Sequence, residues 1–129
     1  MLRKLTFAAL FGGLMFALSA PLSAQDELAI GDKAPLTEFK MTNIDGQDWS
    51  LVDLAGENGT LVIFTCNTCP FVVGREGRSE GWEGRYNEVI AFARENGIGS
   101  VLVNSNEAKR KGDDSFEEMK QHAREAGYI

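Results

Sequence analysis

Thr60-Leu61-Val62-Ile63-Phe64-Thr65-Cys66-Asn67-Thr68-Cys69-Pro70 is the stretch on which the fold turns. Its first six residues form a continuous apolar run rich in β-branched side chains, as expected for a strand covered on both faces. Two cysteines follow at once, and they are the two that the chain contains. Pro70 lacks an N–H, which is tolerated in the first turn of a helix. The cysteines therefore sit where a buried strand gives way to a helix. Such a start presents unpaired N–H groups and a partial positive charge, and both favour a thiolate over a thiol. Helix N-termini and Cys-x-x-Cys spacing lower a cysteine pKa from about 8.5 to roughly 3.5–7.5. Cys66, first after the strand, is expected to be the nucleophile. Cys69, one turn along and more covered, is expected to resolve the mixed disulfide by attacking the Cys66 sulfur.

Towards the C-terminus, a helical pattern runs from about Pro70 to Asn96. Trp82, Tyr86, Val89, Ile90 and Ala93 recur at spacings of three and four and share one face. Trp82 and Tyr86 are read as core. Gly74, Gly77, Gly81 and Gly84 weaken the first half, so a break is expected there. Asn96-Gly97 ends the helix, and Ile98 to Asn104 is a second core strand. Glu107 to Asp113 is a charged loop. Asp114 or Ser115 caps a last helix, with Glu117 or Glu118 as capping-box partner. Phe116, Met119, Ala123 and Ala126 form its buried stripe, His122 lies off that stripe as a surface residue, and Gly127 stops it.

Towards the N-terminus, Trp49 to Leu54 pairs back on Phe39 to Thr42, or forms a short helical turn, across the Asn43-Ile44-Asp45-Gly46 turn. Ile30 to Pro35 is turn-rich, and Gln25 to Ala29 is a leader. Strand, helix, strand, helix after a short β-rich opening implies an α/β domain with parallel strands and helical crossovers.

The first residues differ from the rest. Arg3 and Lys4 precede an uncharged apolar run, Leu5 to Leu18, and then the small residues and proline of Ser19 to Ala24. That order is the pattern of a secretory signal peptide spanning residues 1–24, cleaved after Ala24. The run is too short for the roughly 20 apolar residues of a spanning helix. The expectation is a single domain, residues 25–129, exported to the periplasm or beyond and not stably inserted in a membrane. There a cysteine pair can persist as a disulfide. The formal net charge of −6 excludes the basic footprint of a nucleic-acid binder.

Other uses of the two cysteines compete. A purely structural bridge would stabilise little, because so short a loop barely constrains the unfolded chain. Structural zinc takes four ligands, and His122 is the chain's single histidine, so no metal and no cofactor is expected. Arg75, Glu76, Arg78 and Glu80 read as a solvated face, with Arg75 or Arg78 a candidate partner for the thiolate. Phe71, beside the cysteines, is a candidate for lining a partner groove.

Ile30-Gly31-Asp32-Lys33-Ala34-Pro35, Asp45-Gly46, Leu51 to Gly56 and the strand before the cysteines together resemble the redoxin branch of the thioredoxin-like superfamily. That branch includes the alkyl hydroperoxide reductase and thiol-specific antioxidant proteins. Phe64 to Phe71, Val103-Asn104-Ser105-Asn106 and Asp113 to Tyr128 look like its peroxiredoxin-like group with a Cys-x-x-Cys. The resemblance implies a central mixed sheet with flanking helices, a nucleophile at Cys66 and a resolving thiol at Cys69. It implies thiol–disulfide oxidoreductase activity on protein or small-molecule disulfides or thiols, with a redox partner protein. Peroxide-reducing members carry Pro-x-x-x-Thr-x-x-Cys, whereas Ile63 stands three before Cys66, so the peroxidase alternative is disfavoured. Thioredoxins place a buried acid six before the first cysteine; Thr60 stands there, so the resemblance supplies no proton-transfer base. The family fold continues with a cis-proline loop, two strands and a helix, before which this sequence stops. The expectation is thus a C-terminally incomplete domain, marginally stable or associating through a strand edge, with an inactive binding module as the remaining alternative.

Overall fold

The computed structural model describes residues 28–128. The expected signal segment and its cleavage site lie outside them. The described residues fall into two units, divided after Lys33. In the first, the described residues close a turn in which the Asp32 N–H donates to the Ala29 carbonyl at 3.0 Å. Its carboxylate accepts the Ala29 N–H at 2.9 Å.

The second unit opens with a hairpin. Strands β1 (Met41–Thr42) and β2 (Asp48–Trp49) pair antiparallel. Their turn falls on Asn43 to Gly46, where Gly46 takes φ 84°, a conformation that favours glycine. Residues 51–54 continue as turns. Ser50 is buried and bonds the Asp53 carboxylate through both its N–H and its hydroxyl. With the nearby Lys40 ammonium, these bonds hold Asp53 down at about 2.

Strand β3 is Thr60–Thr65, and β4 is Gly99–Asn104. They pair in parallel without a bulge, from Thr60 opposite Gly99 to Thr65 opposite Asn104. The strand–helix–strand order thus gives the parallel crossover that alternation implies, and the class is mixed α/β. Among the described residues the strands form two separate two-stranded sheets, β1–β2 and β3–β4, instead of one central sheet. The hairpin strands are two residues each and pair with each other, not with β3.

The single long helix expected from Pro70 to Asn96 is interrupted. Helix α1 covers Pro70–Val73, a 3-10 turn covers Glu83–Arg85, and α2 covers Tyr86–Glu95. Between them the chain folds back, with a bridge from Arg75 to Ser79. Gly81 shows why: its φ is 75°, and a Cβ there would lie 2.4 Å from the Gly74 nitrogen. Trp82 accordingly leaves the buried face. It is 60% exposed, with the Arg85 guanidinium 5.1 Å from its ring centre. Tyr86, Ile90 and Ala93 keep their places as the buried stripe of α2.

Helix α3 covers Phe116–Glu125, and Ala123 is the most enclosed residue of its expected stripe. Ser115 is its cap, accepting the Glu118 N–H at 3.4 Å. Val72, Tyr86 and Ile90 form the core cluster, with Ile63, Leu102, Tyr128 and both cysteines packed on it. No large side chain among the described residues is wholly buried, so this core is thin.

Candidate functional site

Because β3 and β4 finish level, the segments that leave them run side by side. Cys66 follows the last residue of β3, and Cys69 is the extended N-cap of α1. Both thiols are free and half-buried. They lie within hydrogen-bond reach of each other, so one proton can bridge the two sulfurs.

The backbone around them is rich in donors. The Phe71 N–H faces the Cys69 sulfur and is the main reason that this thiol is held below its ordinary value; the Cys66 hydrogen bond and the Val72 N–H add to it. Burial and the charge of Asp114 work against that lowering. Cys66 goes the other way. Burial pushes it up, as does the hydrogen bond it shares with Cys69, and the N–H groups of Cys69 and Thr68 offset this only in part. The helix-start donors therefore converge on the second cysteine, and Cys66 is the more enclosed sulfur. Sequence position alone suggests the reverse. The reason is that α1 begins at Pro70, so the N–H groups of its first turn are those of residues beyond Cys69, not beyond Cys66.

The two middle residues of the motif are held by the segment after β4. The Asn67 N–H donates to Asp114 Oδ1 at 2.7 Å, and its side-chain amide donates to the Asp113 carbonyl at 2.7 Å. Lys109 Nζ donates to the Thr68 hydroxyl at 2.8 Å and to Asp113 Oδ2 at 3.0 Å. The hydrogen bond to Asp113, with the negative charges around it, keeps Lys109 firmly protonated. The cation beside the cysteine loop is therefore Lys109, not Arg75 or Arg78, which stay exposed in their own loop.

Of the two residues expected as candidates for the cap of α3, Ser115 takes that place and Asp114 turns inward. Its residue is 3% exposed, and its carboxylate also accepts Asn104 Nδ2 at 2.8 Å and Asn106 Nδ2 at 2.6 Å. Burial on its own would raise its pKa; the three donors outweigh it, and the group stays ionised with a lowered value.

His122 also departs from its expected surface position. It is half-buried, not a free surface residue: its ring bonds Glu83, whose Oε1 also accepts the Tyr128 hydroxyl at 2.6 Å. Burial first, then Glu83, drives the Tyr128 phenol well above its usual range. This cluster ties α3 to the 3-10 turn before α2. His122 also joins Asn67, Thr68, Asp113, Glu118, Gln121 and Glu125 around a shallow cleft of about 170 Å³ beside the cysteine loop. Phe71 lies next to the pair and is 73% exposed.

No family model matches the sequence, and no curated protein matches it. Among solved structures the chain is similar to an uncharacterized conserved protein from Geobacillus kaustophilus, with a TM-score of 0.57 and 33% identity. The match covers 70% of this chain and 44% of that one, so the chain spans less than half the length of that neighbour.

Proposed function

We propose that the chain is an exported thiol–disulfide oxidoreductase of thioredoxin-like fold, in the redoxin or peroxiredoxin-like branch, working through Cys66 and Cys69. The observation that carries this reading is the pair itself: two free, half-buried thiols where a parallel strand gives way to the first turn of a helix, each altering the other's hold on its proton and both beside backbone N–H groups. Those donors favour loss of the first proton, and a thiolate is the species that attacks a disulfide. The sequence order of a positive start, an apolar run and small residues supports export.

The exchange balances as follows. A thiolate of the pair attacks one sulfur of a partner disulfide, forming a mixed disulfide and expelling the other partner sulfur as a thiolate. The remaining cysteine then loses its proton and attacks the chain's sulfur in that bond. This closes Cys66–Cys69 and frees the second partner thiol. Two electrons and two protons pass to the partner, and the reverse sequence oxidises a dithiol.

The test is equilibration of the reduced chain with glutathione buffers of graded ratio, with the Cys66–Cys69 bond read by mass. A two-electron transition supports the reading, together with reduction of insulin disulfides in the presence of dithiothreitol. Inert thiols in both assays, or peroxide consumption without disulfide exchange, would overturn it.

A further inference from the structure

We propose that Asp114 is a positioning residue for the cysteine pair: its buried carboxylate fixes the Cys66–Cys69 loop through the Asn67 N–H. It also keeps a permanent negative charge behind that loop, biasing the pair towards the disulfide. The proposal rests on the thiol–disulfide reading and adds to it a residue that sets the direction of electron flow.

The geometry is that of a clamp. Oδ1 accepts the Asn67 N–H at 2.7 Å and Asn104 Nδ2 at 2.8 Å, and Oδ2 accepts Asn106 Nδ2 at 2.6 Å. The Asn106 N–H in turn donates to Asn104 Oδ1 at 3.0 Å, which fixes the two amides relative to each other. One carboxylate thus joins the middle of the cysteine motif to the last residue of β4 and the residue two beyond it. A carboxylate whose oxygens are all met by N–H donors gains by staying charged and loses by taking a proton. Asp114 is therefore unsuited to shuttle protons.

Its charge acts on only one of the two redox states. The disulfide is neutral, whereas the reduced pair carries a negative charge once its first thiol has ionised. A fixed anion beside a thiolate disfavours it, and the Asp114 charge is felt at Cys69. The charged groups around it are Asp113 and Lys109. The Lys109 ammonium bonds Asp113 and Thr68, and so offsets the repulsion from outside the loop while Asp114 acts from within. The net effect is to make the dithiol the better electron donor.

Asp114→Asn in the full chain isolates the charge. Its amide oxygen can keep the Asn67 and Asn104 bonds, and a flip of the Asn106 amide restores the third. We expect the variant's equilibrium with glutathione to move about tenfold towards the dithiol, about 30 mV for a two-electron couple. Its first thiol should alkylate at lower pH than in the unsubstituted chain. A folded variant with unchanged potential and unchanged alkylation profile would overturn the proposal while leaving the oxidoreductase reading intact. Should the variant not fold, the reduced unsubstituted chain supplies the second readout. The ¹³C carboxyl shift of Asp114 should inflect at the pH where the thiols titrate, and a flat trace there refutes the coupling. Failure of the unsubstituted chain to exchange with glutathione at all would instead strike the oxidoreductase reading, and the carboxyl titration would still judge the coupling.

Discussion

The chemistry of the cysteine pair is set by a few backbone hydrogens. Asn67 and Thr68 have their polar groups committed to Asp113, Asp114 and Lys109, so the loop presents the sulfurs in one arrangement. Cys66→Ser leaves Cys69 facing the Phe71 and Val72 N–H groups; Cys69→Ser leaves Cys66 with its burial. We expect the Cys66→Ser chain to alkylate several-fold faster at pH 7 than the Cys69→Ser chain, as measured with a maleimide or iodoacetamide time course. Asp114 bears on stability as well. Its folded pKa lies below the ordinary 3.8, so the stabilisation is complete above that value and is lost as the pH falls through the folded one. Acid unfolding followed by circular dichroism should therefore be steeper below pH 4 for the unsubstituted chain than for Asp114→Asn. The cysteines were legible in the sequence because Cys-x-x-Cys after an apolar run is a local pattern. Asp114 was not, because its partners at Asn67, Asn104 and Asn106 come from separate segments, and Asp before Ser-Phe-Glu-Glu reads locally as a helix cap.

Elements with strong periodicity matched their sequence pattern closely. The apolar run gave β3 at its expected bounds, and Ile98 to Asn104 gave β4 one residue shorter. The segment from 74 to 82 did not become helix, because a three-and-four spacing fixes a face only where the backbone is helical. Glycine at 74, 77 and 81, each with positive φ, lets the chain turn back instead. Trp82 was lost from the core for the same reason. Gly99 shows how tightly the remaining elements meet. A Cβ there would lie 1.7 Å from the Leu54 carbonyl oxygen and 2.9 Å from the Gly56 nitrogen, both of them backbone. Gly99→Ala should therefore displace the start of β4 from the 54–56 turn. The expected result is a large fall in thermal midpoint or in soluble yield; an unchanged melting curve would show that the turn moves freely.

At the scale of the whole molecule, the two faces of β3–β4 are unequal. Ile63 and Leu102 point to the cluster of Val72, Tyr86 and Ile90. Val62, Phe64, Val101 and Val103 alternate with them and line the other face, where Phe64 is 69% exposed. An open apolar face of this kind invites association. Phe64→Ser should lower binding of a hydrophobic dye and reduce concentration-dependent association, while far-ultraviolet dichroism is kept. Association that persists at the same concentration would place the sticky surface elsewhere. The expectation of a strand covered on both faces fails here, since a run apolar at every position gives the same pattern whether one face is covered or both.

The clamp between Asn67 and Asp114 spans 47 residues of chain. During synthesis the cysteines emerge well before the carboxylate that holds them. A nascent chain therefore carries its sulfurs for a time on a slack, unrestrained loop, open to any oxidant or stray thiol it meets. Their final hydrogen-bonded setting is acquired late, when the segment after β4 arrives and closes on Asn67.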